Sequence, residues 1–247
     1  MCLKFSLTTL LAALVLPMSS AFAEPVRFVT IDYAPYALHE DTLGRLGLFV
    51  DIHAAIAERA ELAYSDNALP IPRVIKNLEH NISDCGVFLL TPWSEGIYIP
   101  VAKVLDRFDT IIVTRPGLKI AQVEDLRNHR VAIPRGGLEG KLVATDPDIE
   151  RFITNDIEQS VKMLRAGRVD AIAGTAFTIL FRLSAEGVSR NDIGQIFTYE
   201  RQQVWLHCAK DQLPDETIMK LRQATDALRI EGVFDTFIKR YISDAFS

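Results

Sequence analysis

After residue 23 the chain has no stretch approaching the roughly 18 uninterrupted apolar residues of a membrane helix, so the sequence reads as a soluble product. It also lacks a basic surplus. Its 27 Lys and Arg face 32 Asp and Glu, a net charge of −5, and nothing resembles the basic footprint of a nucleic-acid binder. There is no internal repeat, low-complexity segment or Gly/Ser linker, so any two lobes must be joined by strands and not by a tether. The five histidines show no metal-ligand spacing, and no G-x-S-x-G nucleophile elbow occurs. Residues 136–141, GGLEGK, fail as a phosphate loop: Arg135 stands where the first glycine is required, and Leu142 replaces the Ser or Thr.

Cysteine is scarce, with three in all. Cys2 lies in a leader-like segment, where Lys4 precedes a short apolar run and Ala21-Phe22-Ala23 has the form of a cleavage site. These features describe residues 1–23 as a secretory signal peptide, with a mature chain from Glu24 and a periplasmic destination. Cys2 sits ahead of the apolar run and so is not a lipoprotein cysteine. Cys85 and Cys208 remain, and an oxidising compartment favours bridging them if their geometry allows it; two buried free thiols are the alternative.

What is present is an alternation of apolar runs and helical faces. Residues 26–30 read as a strand, followed by the aromatic loop Asp32-Tyr33-Ala34-Pro35-Tyr36. Phe49, Ile52, Ile56 and Ala60 fall on one helical face. A strand at 62–64, a helix at 74–78 and a buried strand at 87–90 complete a β-loop-α-β-α-β series, the pattern of a doubly wound sheet. A second α/β series follows, with strands at 108–114, 130–133, 152–154 and 169–173. Helices at 123–129, 138–144 and from Ile157 to Gly167 intervene, and another covers 176–185. Two further strands are expected at 193–199 and 203–209, then a helical end broken at Gly232. In open α/β folds ligands bind outside the carboxyl ends of the strands. Thr91 and Trp93, at the end of the 87–90 strand, are therefore candidates for a ligand floor.

The order and spacing of several short motifs resemble the periplasmic solute-binding proteins of ABC importers, specifically the polar amino-acid-binding family. The motifs are Asp32 to Tyr36, Gly47-Leu48-Phe49-Val50-Asp51-Ile52, Asp84 with Thr91-Pro92, Val131-Ala132-Ile133 with Gly136, the run from Leu164 to Ala171, and the terminal helix around Gly232. The resemblance implies an α/β, two-lobed fold of the type II periplasmic-binding-protein class. Lobe 1 comprises residues 24–106 and 204–247, and lobe 2 is the inserted segment 107–203. It also implies capture of a small molecule between the lobes without catalysis or cofactor, by a monomer that serves an ABC permease or a membrane sensor kinase. In such a fold the strands of Cys85 and Cys208 are antiparallel neighbours, which implies a Cys85–Cys208 disulfide.

The chain departs from the family where the ligand is held. The arginine that takes the α-carboxylate falls on Ser94, the aspartate that takes the α-ammonium on Thr175, and a lining hydroxyl on Leu89. A buried charge without a partner costs several kcal/mol, so a standard α-amino-acid ligand loses its clamp at both ends. Arg73, in a cleft-facing turn, and Arg135 are the replacement charges, since a guanidinium binds carboxylates bidentately. Tyr33 and Trp93 supply apolar faces, and Thr91, Gly137 and Thr175 hydrogen bonds, for a small polar or anionic molecule. The same fold also carries a periplasmic cyclohexadienyl dehydratase, for which Glu95 and Glu139 are the candidate acids.

Overall fold

In a computed structural model the described residues are 24–39, 44, 46–89, 98–135, 138 and 141–242. The first series runs β1 (Val26–Ile31), α1 (Leu48–Arg59), β2 (Tyr64–Leu69), α2 (Ile71–Glu79) and β3 (Cys85–Leu89). The long strand β4 (Tyr98–Thr114) leads to β5 (Arg130–Pro134), α3 (Leu142–Thr145), β6 (Glu150–Thr154), α4 (Ile157–Arg165), β7 (Ala171–Thr175) and α5 (Ala176–Ala185). A second long strand, β8 (Ile196–Ala209), returns to α6 (Asp215–Ile230) and α7 (Val233–Tyr241). The strands are hydrogen-bonded in the order β2-β1-β3-β8-β4-β7-β5-β6. β1 is parallel to β2 and β3, and β5 is parallel to β6 and β7. The antiparallel pair β4–β8 stands between these two wings. The fold is α/β and two-lobed, with two crossing strands as the connection.

Both long strands differ from the sequence expectation. The segment before residue 108 is strand, and 193–199 and 203–209 belong to one element. The apolar signal fades in the middle of each because Asp106, Arg107, Arg201 and Gln203 are exposed there, where the chain passes between the lobes. The ladder tolerates them through register shifts between Pro100 and Ala102 and at three further points up to Ile111. β2 begins two residues later than expected and runs on through Ser65, Asp66 and Asn67. Its polar composition hid it. Asp66 accepts hydrogen bonds from Thr30 Oγ1 at 2.9 Å and pairs with the buried His53 Nδ1 at 2.7 Å.

The aromatic loop and α1 fit as one unit. Gly47, at φ 125°, passes so close to the loop that a Cβ there would lie 2.4 Å from the Tyr36 carbonyl oxygen. The freed N–H groups at the helix start are met by the loop: Leu48 N donates to Pro35 O at 2.7 Å and Phe49 N to Tyr36 O at 3.1 Å. The apolar face Leu48, Phe49, Ile52 and Ile56 is buried, as its 3.6-residue spacing requires. In the inserted lobe Asp170 plays the binding role: it accepts from Arg130 N at 2.9 Å and Nε at 3.1 Å and from Arg115 Nε at 3.0 Å. These bonds, the Arg130 side chain foremost, hold its carboxyl well below the usual carboxylate range.

Cys85 and Cys208 are bridged. They face one another across the antiparallel β3–β8 pair, and both are fully buried. One position earlier on β8, buried His207 stacks on Phe88 with ring centroids 5.2 Å apart. Its Nδ1 lies 3.1 Å from the Trp205 carbonyl, the hydrogen-bonded sheet-face histidine that its place in a strand suggests.

Candidate functional site

A cleft of about 890 Å³ opens at the carboxyl ends of the parallel strands. From one side come Ile31 at the end of β1, Tyr33 and Tyr36 of the aromatic loop, Phe49 of α1 and Leu89 at the end of β3. From the other come Pro134 and Arg135 at the end of β5, Lys141 ahead of α3, and Gly174, Thr175 and Thr178 at the β7–α5 junction. Phe108 and Thr110 of β4 and residues 200–204 of β8 form the floor. The site follows from topology, because each lobe presents strand ends and helix starts to the other.

Two tyrosines join the walls. Tyr33 Oη accepts a hydrogen bond from Ile157 N, at the start of α4, at 3.1 Å. Tyr36 Oη lies 2.9 Å from Thr175 Oγ1, and Thr175 Oγ1 lies 2.9 Å from Thr178 Oγ1. Burial pushes both phenols above their ordinary value, so they stay neutral throughout the physiological range. Tyr36 stacks on Phe49 at 4.5 Å, and Phe108 meets Phe177 at 5.0 Å, so rings continue from one lobe into the other. Replacing Tyr36 by Phe keeps the stack but leaves Thr175 without that partner. The expected loss is about 1 kcal/mol of unfolding free energy by urea titration; no loss would show that the bridge is not made in solution.

Positive charge exceeds negative charge in this lining. Lys141 Nζ pairs with Glu200 Oε1 at 2.7 Å, both about one-third exposed. Arg135 and Arg201 are exposed and have no side-chain partner among the described residues. Lys and Arg on a cleft wall without opposing carboxylates attract anions and raise their local concentration.

The structure gathers Tyr33, Arg135 and Thr175 into this cleft. Thr175 is not a free donor, since its hydroxyl is engaged by Tyr36 and Thr178. Arg73 lies in the first turn of α2 and not in a turn, because Pro70 and Pro72 suit a helix start. It is exposed and lies outside the lining to which its neighbour Ile71 contributes. Thr91, Trp93, Ser94, Glu95, Gly137 and Glu139 lie outside the described residues. Tyr36, Phe108 and the Lys141–Glu200 pair were not singled out as site residues. Tyr36 could have been, from its place in the aromatic loop, but a pair 59 positions apart leaves no local signal. Among the described residues no His, Cys, Asp and Glu cluster suits a metal ion, and no helix is long and apolar enough to cross a membrane.

No protein-family model matches the chain. It is 29% identical over 139 residues to the probable amino-acid-binding protein YxeM of Bacillus subtilis, a match covering 54% of this chain and 51% of that protein. The chain thus spans about half the length of the curated relative it matches. Among solved structures it is similar to an ancestral cationic amino acid solute-binding protein (AncCDT-1), with a TM-score of 0.72 and 14% identity over 89% of this chain and 96% of that one. It is also similar to a histidine kinase sensor domain that resembles periplasmic binding proteins, with a TM-score of 0.69 and 16% identity over 89% and 96% of the two chains. The chain therefore has the type II periplasmic-binding-protein fold and is similar in sequence, over about half its length, to a probable amino-acid-binding protein.

Proposed function

We propose that this protein is an exported solute-binding protein that closes two lobes, residues 24–106 with 204–247 and residues 107–203, on a small polar or anionic molecule and delivers it to an ABC-type importer. The observation that carries this reading is the cleft itself: strand ends of both lobes face one another, tyrosines bridge them, and guanidinium groups without a partner among the described residues stand in the lining. Arg135 is the anchor for the anionic group, with Arg73 as the second candidate. Tyr33 supplies an apolar wall, and Thr91, Trp93 and Gly137 complete the set. In this reading Thr175 serves closure by holding Tyr36.

A thermal-shift screen of the mature protein over amino acids, organic acids and polyamines tests the proposal. A ligand at 100 times its Kd adds about 2.7 kcal/mol of stability. Organic acids should shift the transition more than their α-amino counterparts, because the described lining offers an ammonium no carboxylate except Glu200, already paired with Lys141. Arg135→Ala should weaken the best anion at least tenfold, a loss of about 1.4 kcal/mol of binding. A panel in which only amino acids or polyamines shift the transition would sink the anion assignment, and a panel with no shift would sink the binding role. Release of an aromatic product from prephenate or arogenate would replace the binding reading with a dehydratase one, with Glu95 and Glu139 as the acids. The similarity to a kinase sensor domain supports a second reading, in which the closed form reports to a membrane sensor.

A further inference from the structure

The cleft is chemically divided between its walls. Every described lining residue from the wing of β1–β3 is aliphatic or aromatic. The charged residues of the described lining, Arg135, Lys141, Glu200 and Arg201, come from the opposite wing or from β8. Nearby carboxylates do not alter this division. Asp32 of the aromatic loop stands outside the lining, 2.6 Å from His39 Nε2. On β4 successive side chains point to opposite faces, so Phe108 and Thr110 line the cleft while Arg107 and Asp109 line a separate cavity of about 410 Å³ behind it. Those two pair with one another at 2.7 Å.

The apolar wall is not used up by the core. Ile71 is 50% exposed at the start of α2, and Ile31, Tyr33 and Leu89 are half-buried. Apolar side chains left open along one wall of a cleft are surface that a ligand gains by covering. The Tyr33 hydroxyl is turned to Ile157 N on the other wall, which leaves its ring as the surface offered to a ligand. The opposite wall is the reverse. Arg135 and Arg201 are exposed there, and Lys141 is held by Glu200. One carboxylate on a ligand can therefore meet a guanidinium. A second, placed against the apolar wall, would leave water without a partner, which is costly.

We propose, resting on the reading that the cleft holds an anion, that its ligand is a monocarboxylate with a ring-sized apolar body. The carboxylate meets Arg135, with Arg201 adding to the local positive field. The body lies against Ile71, Leu89 and the Tyr33 ring, where an aromatic group gains from both area and ring contact. A cleft of about 890 Å³ has room for both parts. The two walls thus divide the work: one fixes the charge and the other selects the body. Short dicarboxylates are selected against, because the wall that accepts a ring offers their second charge nothing.

Calorimetry of the purified mature protein at neutral pH with 3-phenylpropionate, propionate, succinate and neutral 3-phenylpropionamide separates body from charge. The expected result is that 3-phenylpropionate binds about tenfold or more tighter than each of the other three. Ile71→Ser and Leu89→Thr should each narrow its preference over succinate about threefold or more. Ile71 is half exposed, so its variant folds; Leu89→Thr keeps a strand-compatible side chain and is checked by circular dichroism. Succinate binding as tightly as 3-phenylpropionate overturns the apolar assignment and leaves the anion reading standing. Amide binding as tightly as the acid overturns the carboxylate placement. A preference untouched by both variants puts the ring elsewhere and overturns the role of this wall. If no acid binds at all, the anion reading itself falls and the proposal with it, so the two failures are told apart.

Discussion

Replacing Cys85 and Cys208 together by alanine is expected to lower the unfolding free energy by about 4–5 kcal/mol. The disulfide closes a loop 123 residues long in sequence separation, and the loop-entropy cost that it removes from the unfolded chain grows with loop length. That loop begins on β3 and ends on β8, so it contains both hinge strands and the whole inserted lobe. The folded structure loses little, because the two positions are held opposite one another by the ladder on either side, Gly86 with His207 and Val87 with Leu206. Urea denaturation of wild type and variant measures the difference, and thiol titration of the unreduced, denatured wild type should find neither Cys85 nor Cys208 free. A loss below about 1 kcal/mol would mean that the unfolded chain is not constrained by the bridge. If the double variant fails to fold, denaturation of wild type with and without reductant gives the same comparison.

The second large effect is a loss of stability in mild acid caused by His207. Burial lowers its pKa from 6.5 to about 4, against a smaller opposing effect of the hydrogen bond to Trp205. In the folded state the ring is therefore neutral until about pH 4, while in the unfolded chain it protonates near 6.5. Between these values the unfolded state binds more protons, so stability falls as pH falls. The contribution is present above about 6.5, is reduced by roughly 2 kcal/mol at pH 5 and by about 3 kcal/mol at pH 4, and levels off at a loss of about 3.4 kcal/mol below that. His207→Leu should flatten the profile between pH 6.5 and 5, a window above the range in which Asp170 loses its bonds. Asp170 has the opposite sign of shift: its depressed pKa supplies stability above the normal carboxylate value, and that stability is lost only as pH drops through the depressed value. Equal slopes for wild type and His207→Leu between pH 6.5 and 5 would exclude the histidine as the cause.

The surface of the cleft belongs to neither lobe alone. Tyr36 stands five residues after the end of β1, yet its hydroxyl partner, Thr175, is 139 residues away. Arg135 and Arg201 are drawn to the same cleft from β5 and β8. The lining is consequently cationic although the whole chain carries −5, and net charge would have pointed away from an anionic ligand. Local field follows which groups converge and which are already paired, and composition records neither.

Local pattern alone determined most of the alternation of strands and helices and the buried face of α1 that carries Phe49, Ile52 and Ile56. These properties arise from neighbours within a few residues, where periodicity and backbone sterics act. The polar middles of β4 and β8 escaped that reading, since residues that pass between two lobes need not be apolar even though their backbones are paired. The tertiary structure alone decided that Thr175 holds Tyr36, that Arg73 lies outside the cleft lining, and that Phe108 and Asp109, adjacent in the chain, line separate cavities. The reason is that hydrogen bonds, ion pairs and excluded volume act through space, and the distances that govern them exist only once the two halves have come together.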